Sequence, residues 1–170
     1  MNIVEVEDFL PKQVCEDIIE SFDINNVNTL WRDTKVIDIF WQANDISKGL
    51  MADIITTVRN KFDNNLMCNY SQIVFWPTNS SQEAHYDDDY HPATSILYLN
   101  DNYEGGETFI GDKVIKPKQG KMIIFNGDKI LHGVNKVTKG ERYTIPAWYK
   151  FWSLNEYNRR QTTRDTTDSC

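Results

Sequence analysis

The sequence is short of the features that would place it in several common classes. Its three cysteines, Cys15, Cys68 and Cys170, are odd in number, widely spaced and without a C-x-x-C pair in 170 residues, which suits neither a disulfide framework nor a zinc–thiolate centre. Basic residues are outnumbered, 18 Lys plus Arg against 25 Asp plus Glu for a net charge of −7, and they form no patch for phosphate backbones or anionic lipid. Nucleic acid and membrane are therefore not expected as partners. No apolar run is long enough to span a bilayer, and the opening MNIVEVEDF carries acids where a secretory signal needs a basic stretch and then an apolar one. The expected location is cytoplasmic. Histidine is also scarce, with only His85, His91 and His132 in the chain.

What is present reads as one domain over residues 1–154, followed by a polar tail, 155–170, that lacks apolar periodicity. The part up to about residue 66 has helical spacing. Pro11 suits a first helical position, with Val14, Ile18, Ile19 and Phe22 on one face after it. A longer helix is expected from Ile46, Leu50, Ile54, Val58, Phe62 and Leu66, capped by Asp45 or Ser47. From residue 67 the texture changes to short β-branched and aromatic runs: Gln72 to Trp76, Thr94 to Leu99, Glu107 to Ile110, Lys113 to Lys116, Lys121 to Phe125, Leu131 to Val134 and Arg142 to Phe151. Gly111-Asp112 closes a hairpin between two of them. Helices followed by many closely spaced strands imply a mainly β fold, an antiparallel sandwich or jelly roll with two or three helices packed on one outer face.

His85 and Asp87 are two apart, so an extended backbone points an imidazole and a carboxylate to the same side. Alone, such a pair is more often a surface hydrogen-bonding pair than a metal site. His132, at the start of a later predicted strand, would complete a set of two His and one carboxylate, the donor set of non-haem Fe(II) oxygenases. Ten residues further, Arg142 stands in a strand otherwise made of Tyr143, Ile145, Ala147 and Trp148. A guanidinium there is costly unless an anion meets it, and a carboxylate would do so through two hydrogen bonds.

The ordered series His85-Tyr86-Asp87, Tyr98-Leu99-Asn100, Gly105-Gly106-Glu107-Thr108, Lys116-Pro117 to Gly120, Phe125, His132-Gly133, Val137, Gly140, Arg142-Tyr143 and Trp148 resembles the 2-oxoglutarate- and Fe(II)-dependent dioxygenases of the prolyl 4-hydroxylase type. The opening VEDFLPKQVCEDIIESF is also similar to that family's usual start. The resemblance implies a double-stranded β-helix core over about 67–154. It makes His85, Asp87 and His132 ligands of Fe(II), and Arg142 the holder of the distal carboxylate of 2-oxoglutarate. It implies that the hydroxyl of Tyr98 hydrogen-bonds that carboxylate, and that Trp148 walls the site, although ordinary core is an equal reading for Trp148. Thr94, four residues before Tyr98 on the same strand, faces the same side and would line the pocket. Where relatives carry a Tyr, this chain has Trp76 in Phe75-Trp76-Pro77-Thr78, an indole donor of different reach.

The activity so implied is hydroxylation of a prolyl residue in a peptide or protein, with O2 as oxidant and ascorbate as reductant. Two alternatives stay open: an oxygenase for a small molecule or another residue type, and a metal-stabilised binding module without chemistry. Asp88 and Asp89 read as solvated or turn residues, and His91 before Pro92 as a loop residue, with an alternative ligand or a substrate contact as the lesser reading. Gly105-Gly106 reads as a close backbone approach between strands. Specificity is expected from the loops Trp31 to Asp45 and Asn79 to Pro92.

Overall fold

The computed structural model describes residues 3–21, 29–31, 34–38 and 45–153. Along the chain run β1 (Ile3–Val6), α1 (Lys12–Glu20), β2 (Thr29–Trp31), β3 (Thr34–Asp38), α2 (Asp45–Lys61), β4 (Leu66–Trp76), β5 (Gln82–His85), β6 (Ala93–Tyr98), β7 (Glu104–Gly105), β8 (Thr108–Ile110), β9 (Lys113–Ile115), β10 (Met122–Phe125), β11 (His132–Val134), β12 (Val137–Lys139) and β13 (Arg142–Phe151). Their pairing is antiparallel throughout. A seven-stranded sheet has the order β1-β10-β6-β13-β4-β3-β2, a four-stranded one β5-β11-β8-β9, and β12 pairs with β7.

Strand alternation gives the large sheet two packed faces. On the seven-stranded sheet Leu97, Leu99, Met122, Ile124, Ile145 and Tyr149 pack with Cys15 and Ile18 of α1 and Met51, Ile54 and Val58 of α2. The intervening residues Ile96, Tyr98, Ile123 and Phe125 face the other way and pack on Ile110 and Ile115 of the four-stranded sheet. Each fully buried aliphatic or aromatic side chain contributes roughly 1.5–3 kcal/mol. The result is the expected jelly roll, with α1 and α2 on one outer face.

Several local expectations change. Residues before 66 are not only helical, because β1 joins β10, and β3 joins β4, in the large sheet. Pro11 is the N-cap of α1 rather than its first helical residue, and Phe22 lies outside the described residues. The second helix ends at Lys61, not Leu66. Asp63 starts a turn there by accepting both the backbone N–H (2.9 Å) and the side-chain amide (3.1 Å) of Asn65. Leu66 instead opens β4, six residues before the expected strand start. The side chains of Asp45 and Ser47, proposed as caps, lie outside what is described, and of the Trp31 to Asp45 loop only Trp31 at the end of β2, the strand β3 and the helix start are described.

Pro146 lies in the middle of β13, between two partner strands, where a proline is unusual. Its carbonyl is served by the Ser71 hydroxyl at 2.9 Å. The close approach expected at Gly105 is real: φ is +71°, and a Cβ there would sit 2.2 Å from the Lys136 carbonyl oxygen.

Candidate active site

β5 and β11 pair so that His85 and His132 are opposite one another, with ring centroids 4.4 Å apart. Asp87 follows β5, and its backbone N–H donates to the Gly127 carbonyl at 3.0 Å. His132 Nε2 lies 3.6 Å from Asp87 Oδ2 and His85 Nε2 lies 3.9 Å from Asp87 Oδ1. One donor atom from each of the three falls within 4.8 Å of the others. Both rings are oriented by backbone: His85 Nδ1 donates to Glu83 O at 2.9 Å and His132 Nδ1 to Ile130 O at 2.8 Å. A carbonyl only accepts, so in each neutral ring Nδ1 carries the proton and Nε2 is left with the lone pair.

Asp87 is itself held on both oxygens. The Thr94 hydroxyl donates to Oδ2 and the Trp148 indole N–H to Oδ1 at 3.0 Å. Burial alone would raise the Asp87 pKa, but the neighbouring His132 and the hydrogen bonds from Thr94 and Trp148 outweigh it and hold the carboxyl below its usual value. Thr94 and Trp148 therefore orient the carboxylate rather than merely lining or walling a pocket. Gly127 makes room for this: a Cβ there would lie 2.0 Å from Asp87 Oδ2 and 2.4 Å from Thr94 Oγ1. No sequence signal had pointed to Gly127.

In the same cavity, of about 470 Å³, Arg142 is 1% exposed. It donates from Nη2 to Thr108 Oγ1 at 3.1 Å and from Nη1 to Thr144 Oγ1 at 3.4 Å. Its guanidinium lies 4.9 Å from the Trp76 ring centroid and 5.7 Å from that of Tyr98. Among the described residues no carboxylate pairs with it, and its buried Nε has no hydrogen-bond partner. A buried guanidinium served only by neutral hydroxyls and ring faces is a site for an anion.

Other expected residues take different places. Tyr98 is fully buried and donates to Thr108 Oγ1 at 2.8 Å, so in this structure its hydroxyl reaches the cavity only through Thr108. Trp76 sits at the Arg142 end, with its indole N–H donating to Thr144 at 3.2 Å. Thr108 and Thr144, which link these groups, carry no sequence signal by themselves. Along β4 the residues Tyr70, Gln72, Val74 and Trp76 alternate onto the cavity side, and Tyr70 stacks on Trp148 at 4.4 Å and 17°. His91 does lie in the loop between β5 and β6, as expected, but it is buried and lines the cavity, its Nε2 3.0 Å from the Asn69 amide. Burial lowers its pKa against the opposing pull of Asp88 and Asp87. Asp88, with its side chain 63% exposed, stays at the rim.

Residues 69–150, which run from within β4 almost to the end of β13, match the family described as the 2OG-Fe(II) oxygenase superfamily. Human prolyl 3-hydroxylase 2 is 43% identical over 65 residues, which cover 33% of this chain and 9% of that protein; the chain thus spans under a tenth of the curated relative's length. Among solved oxygenase structures, the viral collagen prolyl hydroxylase of Paramecium bursaria Chlorella virus-1, crystallised with 2OG, superposes with a TM-score of 0.73 at 20% identity, over 90% of this chain and 97% of that one. A prolyl-4-hydroxylase from Pseudomonas putida gives a TM-score of 0.74 at 17% identity, over 89% and 93%. At these identities the likeness is one of fold. Two imidazole lone pairs and a carboxylate fit Fe(II), and the unmatched Arg142 fits the dicarboxylate 2-oxoglutarate.

Proposed function

We propose that this chain is an Fe(II)- and 2-oxoglutarate-dependent dioxygenase that hydroxylates a prolyl residue of a peptide or protein. The observation that carries the reading is Arg142, a buried cation with no counter-ion among the described residues, in one cavity with His85, Asp87 and His132. In this reading those three side chains hold the metal, Thr94 and Trp148 fix the Asp87 carboxylate, and Arg142 with Thr108 binds the distal carboxylate of 2-oxoglutarate. The bound iron would supply O2 activation and the oxidising power drawn from decarboxylation of 2-oxoglutarate to succinate.

The protein's part is binding and orientation. Nδ1–H bonds to Glu83 and Ile130 keep both imidazoles in the ligating tautomer. Charge-assisted bonds from Arg142 fix one end of the co-substrate so that its other end lies by the three ligands. Trp76, over the guanidinium, keeps water from that end. The presence of Asp87 favours hydroxylation, because halogenating relatives lack this carboxylate. The finer reading adds ascorbate as the reductant that keeps the iron ferrous, and a cytoplasmic location; no helix among the described residues is long and apolar enough to cross a membrane.

The test is turnover. Protein loaded with Fe(II) and given 2-oxoglutarate, O2 and prolyl peptides should form succinate and add one oxygen atom to the peptide. Succinate without any modified peptide would leave the oxygenase reading standing and remove prolyl hydroxylation.

A further inference from the structure

Gln82 is a polar residue that the proposed reaction leaves without a task. It lies in β5, three residues before His85, and both side chains line the cavity. In a regular strand residues three apart face opposite sides. Here the register with β11 shifts between His132 opposite His85 and Val134 opposite Gln82, and that irregularity brings the two to one side. Gln82 Nε2 then lies 3.0 Å from His85 Nε2. The direction of this bond is fixed by the other ring nitrogen. Nδ1 donates to the Glu83 carbonyl, so Nε2 is the acceptor and the Gln82 amide the donor. The lone pair that would face a metal is thus already used. His132 has the same tautomer, but its Nε2 faces Asp87 Oδ2 at 3.6 Å.

We propose that Gln82 is a latch on the metal-facing nitrogen of His85: its side-chain amide caps Nε2 in the metal-free protein and must turn away before a divalent cation can bind. The proposal rests on the reading of His85, Asp87 and His132 as metal ligands. The latch has two opposed effects. It holds His85 in the tautomer and orientation that ligation needs, and it sets one hydrogen bond against the metal.

The probe is Mn(II), titrated into metal-free full-length chain without 2-oxoglutarate, with the free ion counted by electron paramagnetic resonance. Replacing the donor by an apolar group of similar length, Gln82→Leu or Gln82→Met, removes the competition, and Mn(II) should bind about three- to tenfold more tightly. Independently of any variant, 15N NMR of the metal-free wild type should show His85 Nε2 as a hydrogen-bonded acceptor, with its resonance moving to an unbonded position in Gln82→Leu. Unchanged or weaker Mn(II) binding in both variants, or an unbonded Nε2 in the wild type, overturns the latch alone. No Mn(II) uptake by the wild type overturns the latch together with the metal-site reading beneath it.

Discussion

Trp148 donates its indole N–H to Asp87 Oδ1 at 3.0 Å, six residues along β13 from Arg142. One strand therefore supports both halves of the proposed site: its start carries the cation proposed to meet an anionic co-substrate, and further along it steadies the one anionic group of the proposed metal set. Tyr70 of β4 lies flat on the same indole.

Trp148→Phe keeps the stack on Tyr70 and removes only the donor. Partners of this kind typically change metal affinity by 10- to 100-fold, so the variant should lose roughly tenfold in Fe(II) affinity while its thermal unfolding stays close to that of the parent. Anaerobic competition with a chelator measures it.

Arg142→Ala should weaken 2-oxoglutarate binding by about 1.5–3 kcal/mol, the worth of hydrogen bonds to a charged group, with metal affinity unchanged. Arg142→Lys keeps the charge but not the fork and should recover only part of the loss. Calorimetric titration of 2-oxoglutarate into metal-loaded protein separates the three cases. Thr108→Val, which removes the hydroxyl shared by Tyr98 and Arg142, should cost about 1 kcal/mol of the same affinity.

Gly127→Ala should abolish tight metal binding, because the new methyl would lie 2.0 Å from Asp87 Oδ2 and the carboxylate must leave its position. Backbone order should survive, as read by circular dichroism. A variant that bound metal like the parent would show that Asp87 is not held where ligation needs it.

A pH effect is expected far from the site. Glu5 of β1 is bonded by Lys113 and by the mostly buried Lys121, and these bonds, above all that from Lys113, outweigh burial to hold its carboxyl below the usual 4.5. That stabilisation is complete above 4.5 and is lost as pH falls through the lower folded-state value. For Lys121 burial alone would lower the pKa, but Glu5 and Glu7 raise it above the usual 10.5, so its share holds below 10.5 and is lost as pH rises through the folded-state value. Urea unfolding should find Glu5→Gln less stable by up to about 1 kcal/mol at pH 7, a surface-pair magnitude, with the gap closing at pH 3.

The legible parts of the site were those whose chemistry is local. His85 and Asp87 share a side through simple alternation, and Arg142 stood out because a charge in an apolar strand needs a partner. Thr144 and Gly127 did not stand out, and Thr108 did so only as the end of a motif without a role of its own, since each acts through cross-strand neighbours that have no trace in its own surroundings. Tyr98 was placed on the right strand and by the right group, but one hydroxyl away from the cavity, a distance that side-chain packing alone decides. In the fold, the repeating core of α2 was readable, while its end depended on the side chain of Asp63 capturing Asn65. The strands β1 and β3 are short and find their place only through partners far along the chain, β10 and β4.

In the proposed function, metal and 2-oxoglutarate meet in one cavity between His85, Asp87, His132 and Arg142. The most direct test is the visible absorption of anaerobic Fe(II)-loaded protein on addition of 2-oxoglutarate. A metal-to-ligand charge-transfer band should appear in the wild type, be absent in His132→Ala, and need much more 2-oxoglutarate in Arg142→Ala. Protein that holds Fe(II) yet gives no band at saturating 2-oxoglutarate would contradict the account.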